Sequence, residues 1–132
     1  WSALKGGDEI HDSLVAFAEK EHITFGRIQG IGAVREVTLG LFYLDRKEYR
    51  ETKLYGIKEI ISLTGTLDMF QKKPYGFFNI ALGGEGANMG SHMVSGVIGI
   101  TAKIIVTCFN TIIMREKDES MGFNMWKLSK KA

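Results

Sequence analysis

The chain has 132 residues, of which 45% are hydrophobic and 24% charged. That size suits one domain, residues 1–132, able to bury about two thirds of its extended surface. No run approaches the roughly 20 apolar residues needed to span a bilayer, and no basic-then-apolar leader opens the chain, so a soluble, cytoplasmic protein without a membrane partner is expected. Net charge is +2 with pI near 8.7, short of the basicity above about pI 9 common in autonomous nucleic-acid domains.

In chain order, Gly6-Gly7 before Asp8 reads as a turn feeding a helix N-cap, with Glu9 and Asp12 favoured in the first turn by the helix dipole. Ile10, Leu14, Phe17 and Ala18 then form an amphipathic stripe, predicting a helix over 8–21. His11 and His22 are too far apart on that element to chelate one ion and read as surface residues. Gly30-Ile31-Gly32 has two glycines of a dinucleotide fingerprint, but Arg35 takes the third glycine's place and the next residues are strand-like. A close strand crossing or a bulge, with Ile31 in the core, is the better expectation.

Alternation of Val37, Leu39, Leu41 and Tyr43 with Thr38, Gly40 and Phe42 predicts a strand, and Asp45-Arg46-Lys47 a polar turn before Tyr49 and Leu54. Further strands are expected over 57–65, 76–82, 103–112 and 121–128. Cys108, the lone cysteine, excludes an intramolecular disulfide and lies in the apolar run Ile104–Phe109, where a packed core thiol is expected. Lys127, Lys130 and Lys131 make a short basic tail. One helix and many strands give an α+β fold whose antiparallel sheet curls toward a barrel.

Chemistry concentrates between Gly65 and Gly96. Side chains two apart on a strand share a face, so Phe77, Asn79 and Ala81 point one way and Phe78, Ile80 and Leu82 the other. A pocket with Phe77 and Asn79 as floor and His92 as lid is the expectation. His92 is then open to a metal, a small-molecule or anion contact, or a structural hydrogen bond at a subunit interface; Glu85 and Asn88 could assist a metal. Glu59 shares a face with Ile57, Ile61 and Leu63, where an ionised carboxylate is costly unless paired or reaching water. Ser62 and Ser91 sit in no recognised acyl-transfer motif.

Gly30-Ile31-Gly32-Ala33, the run Gly56-Ile57-Lys58-Glu59-Ile60-Ile61-Ser62-Leu63-Thr64-Gly65, and Gly90-Ser91-His92 occur in that order. Over about residues 5–112 the chain thereby resembles the PPC domain (plants and prokaryotes conserved). The resemblance implies a homotrimer with an acetolactate-decarboxylase-like fold. Many prokaryotic members carry His-x-His on the strand after the lone proline and a Gly-Gly-His turn downstream, suited to one divalent metal. The matching positions here are Phe77, Asn79 and His92, so His92 alone remains as a metal candidate and no cofactor is expected. Lys103, expected with His92, Asn79 and Phe77 at the pocket, stands where relatives often have an acidic residue and would repel a dication.

Plant members lack the histidine pair and act as protein-interaction and trimerisation modules beside a DNA-binding hook. Gly56, Lys58, Glu59, Ile60 and Ile61 match their interaction motif in part. An Arg-Gly-Arg-Pro hook is absent, since Pro74 is the only proline and no arginine lies within twenty residues of it. The resemblance therefore favours a trimeric binding or regulatory module, DNA-associated through protein partners, over a metal-dependent enzyme.

Overall fold

The computed structural model describes residues 4–84, 89–120 and 123–127. Its elements run β1 (Leu4–Lys5), α1 (Ile10–Lys20), β2 (Gly26–Tyr43), β3 (Glu48–Phe70), β4 (Lys73–Gly83), β5 (Met89–Cys108), β6 (Met114–Asp118) and β7 (Phe123–Lys127). Glu85, Asn88, Lys130 and Lys131 lie outside the described residues, as does part of the strand expected over 121–128.

The helix begins two residues after Asp8 because Glu9, not Asp8, caps it. The Glu9 carboxylate accepts from the backbone N–H of His11 at 3.1 Å and of Asp12 at 2.8 Å, and from Gly96 of β5 at 2.7 Å. Asp8 stays in the preceding turn, its carboxylate accepting from the N–H of Lys5. The predicted stripe is confirmed, with Ile10, Leu14 and Ala18 buried and Phe17 partly so. Against it pack the inward faces of β2 to β5, including Ile28, Val37, Leu63, Phe78, Ile80 and Met93. Burying each such side chain contributes about 1.5–3 kcal/mol.

The strands outrun the sequence expectation because bulges, not ends, absorb the irregular stretches. Register slips between Gly30 and Gly32, and Gly32 takes φ +146° where a Cβ would strike the Thr101 carbonyl. Ile31 is thereby turned outward, 59% exposed, and is not a core residue. A second slip between Ile60 and Ser62 sends both Ile60 and Leu63 inward while Glu59 and Ile61 face out. Glu59 therefore does not share Leu63's face; its head reaches water. Cys108 is also corrected: it is exposed, at the end of β5 opposite Gly26, which has no side chain to cover it. His11 is not a free surface group, since its ring meets Phe78 edge-on at 5.6 Å.

All seven strands form one sheet in which β2 pairs β3 and β5, and β4 pairs the other sides of β3 and β5. The result is a ring of strands rather than a full barrel, because the β4–β5 seam spans only Asn79–Leu82 against Met89–His92. The sheet is antiparallel except where β6 joins β3 in parallel, Met69 with Met114 and Phe70 with Arg115. The β6–β7 hairpin extends the sheet from this junction.

Candidate functional site

Closure of the ring determines where His92 lies. It pairs with Asn79 across β4 and with Gly40 across β2. Phe77 is two residues along the same face of β4, close enough for its ring to stack on the imidazole at 4.4 Å between centroids and 7° between planes. The structure thus brings Phe77, Asn79 and His92 together, with His92 beside the strand rather than over it.

The imidazole has a second partner that the sequence did not reveal. Tyr49, on the far side of β2, crosses the backbone at Gly40 and its hydroxyl lies 3.0 Å from His92 Nδ1. Only a glycine permits this, because a Cβ at position 40 would occupy the place of the Tyr49 hydroxyl. Burial, with smaller contributions from His11 and Arg115 and against the pull of Glu51, lowers the His92 pKa below its ordinary value of 6.5. At neutral pH the ring is uncharged, sharing one hydrogen bond with the phenol. Burial and Glu51 also raise the Tyr49 pKa, so that phenol stays protonated.

Beyond Phe77 the stack continues into the C-terminal hairpin. The Arg115 guanidinium lies 5.4 Å from the Phe77 centroid and 4.9 Å from that of Tyr75. Its Nε donates to both oxygens of Asp68, at 2.9 and 3.0 Å, and a terminal nitrogen donates to Asn124. Asp68 is fully buried and also accepts from the indole of Trp126 at 2.7 Å and the hydroxyl of Thr66. One buried carboxylate thus ties β3 to both hairpin strands. An acidic residue between Leu67 and Met69 was the available sequence signal.

These elements line an open cavity of about 690 Å³. Its walls include Phe42, Tyr49, Phe70, Tyr75, Phe77 and Phe123, with Ser91, His92, Lys117 and Asn124 as the polar lining. Asn79 faces outward beside this cavity without lining it. Lys103 is elsewhere, exposed near the other end of β5 and paired with Ile31. Within the interaction-motif residues, Gly56 takes a left-handed φ of +96°, Lys58 donates to the Tyr55 carbonyl at 2.8 Å, Glu59 and Ile61 are exposed, and Ile60 is in the core.

The donor set at 77, 79 and 92 does not fit a divalent ion. Phe77 presents a ring, Asn79 a weak amide oxygen, and the imidazole already engages Tyr49 through one nitrogen. Among the described residues, one group of three ligand-type side chains converges, Glu9, His11 and Asp12. Its Glu9 is already committed to the helix cap.

Comparison with known proteins agrees with this architecture. A candidate DNA-binding protein from Bacteroides thetaiotaomicron superposes with TM-score 0.91 at 26% identity, covering 95% of this chain and 88% of its own. A plant- and prokaryote-conserved protein from Pyrococcus horikoshii gives 0.88 at 29%, covering 98% and 91%. A metal-containing protein from Archaeoglobus fulgidus gives 0.88 at 28%, covering 96% and 91%. No curated protein matches the sequence. Residues 2–110 match the Plants and Prokaryotes Conserved domain, and the chain belongs to that family, with the β6–β7 hairpin beyond the matched segment.

Proposed function

We propose that this chain is a homotrimeric binding or regulatory module, associated with DNA through protein partners rather than through a hook of its own, and located in the cytoplasm. The observation that carries the choice of module over enzyme is the Phe77 ring stacked on His92, at a position where prokaryotic relatives place a ligating histidine. With one imidazole and no carboxylate donor among the described residues of the cavity lining, a metal-activated water has nothing to hold it. The rival reading is a metal-dependent enzyme related in fold to acetolactate decarboxylase. It draws on the metal-containing Archaeoglobus neighbour, and requires donors that this chain replaces.

Assembly is supported by the outer face of the sheet. Ile31, Ile57, Ile61, Ile100 and Ile105 are each more than half exposed there, on the side that α1 does not cover. An apolar face of this kind is characteristic of a surface that meets another subunit. The DNA association is supported by the likeness to the candidate DNA-binding protein from Bacteroides, and the motif residues Lys58, half-buried, and Glu59 and Ile61, exposed, are the surface offered to partners.

Native mass spectrometry together with elemental analysis tests the proposal. Three chains without stoichiometric zinc are expected, and near one metal per chain surviving chelator dialysis sinks the module reading. Phe77→His combined with Asn79→His should then install tight zinc binding beside His92.

A further inference from the structure

The geometry points to the cavity beside His92 as a binding site for a planar aromatic monoanion, a ligand class that goes beyond the module reading above. Three observations converge on this class. The first is size: about 690 Å³ lies within the range of roughly 300–1,000 Å³ that accommodates small organic ligands.

The second is the shape of the walls. Phe42 and Phe123 already meet edge-to-face at 5.3 Å, Phe70 and Tyr75 at 5.7 Å, while Phe77 and His92 stack in parallel. Flat ring faces and edges favour offset stacking or T-shaped contact with another flat ring, worth about 0.5–1.5 kcal/mol per pair beyond area burial. A flexible aliphatic ligand gains none of this.

The third is charge. Among the described residues of the lining, Lys117, on β6, is the only charged side chain, and it forms no ion pair with any described residue. The nearby guanidinium of Arg115 is already neutralised by Asp68. Neighbouring Glu116 pairs with Lys127. Glu51 acts on Tyr49 and His92 from outside the lining. Neutral His92, Ser91 and Asn124 add hydrogen-bonding groups that fix orientation without charge. A ring between the aromatic walls with its anionic group toward Lys117 satisfies all three.

Calorimetric titration of the full chain with 2-naphthoate and with 2-naphthylmethylammonium, at low salt, tests the assignment. 2-Naphthoate should bind about fivefold tighter than the ammonium probe, the upper range for one exposed ion pair. Lys117→Glu should reverse that order, and because Lys117 is exposed the variant keeps its fold, checked by circular dichroism. Phe77→Leu should weaken both probes alike. Equal affinity for the two probes, or an order unchanged in Lys117→Glu, overturns the proposal. So does failure of both to bind, the result expected if another copy of the chain fills the cavity. Native mass measured on the same samples reports the trimer independently, so the two readings fail separately.

Discussion

The two faces of β4 are built from the same alternation and do opposite things. Phe78, Ile80 and Leu82 point into the core, where Phe78 is fully buried and its ring meets that of His11 in a T-shaped contact. Tyr75 and Phe77 point the other way, into a cavity bounded by a hairpin that lies beyond the matched family segment. Neighbouring phenylalanines, 77 and 78, thus line a cavity and fill the core respectively. The difference is not in the residue type but in what covers it: α1 packs on one face, while the other borders a cavity walled by the hairpin that Asp68 ties to β3.

This contrast can be broken at several points. Phe78→Ala should cost about 3–5 kcal/mol, the range for emptying a core aromatic site, whereas Phe77→Ala should cost about 1 kcal/mol through lost stacking. Urea titrations giving equal losses would erase the distinction between the faces.

Arg115→Met removes one partner of the Asp68 pair and leaves a buried carboxylate, which costs about 3–5 kcal/mol when uncompensated. The β6–β7 hairpin should detach before the rest unfolds. Faster proteolysis confined to residues 114–127, with a shift in Trp126 fluorescence, is the expected result; cleavage throughout the chain would mean that the hairpin is integral to the core.

Gly40→Ala sharpens the comparison on the cavity side. Displacing the Tyr49 ring should cost about 1–3 kcal/mol, as other forced overpacking does, and should break the contact with His92 Nδ1. A changed imidazole signal by NMR checks it, and an unchanged one would mean that the Tyr49–His92 bond is not formed in solution.

The smallest effect is in pH. Because the folded state lowers the His92 pKa below 6.5, the native protein binds fewer protons there than the unfolded chain. Its stability should be level above pH 6.5 and decline as pH falls below that value toward the folded pKa. His92→Phe should flatten this decline, seen as parallel melting temperatures between pH 7 and 5.5. A decline that persists in the variant assigns the effect to other groups.

Local pattern was enough for the helix stripe Ile10–Leu14–Ala18, for the opposed faces of β4 and for the polar turn at Asp45-Arg46-Lys47, because each depends on a fixed period or on turn chemistry within a few residues. The order of the glycine motifs was likewise enough to name the family. Ile31 and the face shared by Glu59 and Leu63 were misread because a bulge reverses alternation, and a bulge is set by what the partner strand does; Cys108 was misread because the residue opposite it across the strand pair is a glycine. Tyr49 and Arg115 were missed for a related reason. Their partners, His92 and Asp68, are joined to them only by pairing across Gly40 and by the parallel junction of β6 with β3. The sequence by itself determined the helix stripe, the opposed faces of β4 and that position 77 cannot ligate a metal; long-range strand pairing decided how far the strands run and that a tyrosine, a histidine, a phenylalanine and an arginine meet in one cluster, since contacts between residues dozens of positions apart have no local signature.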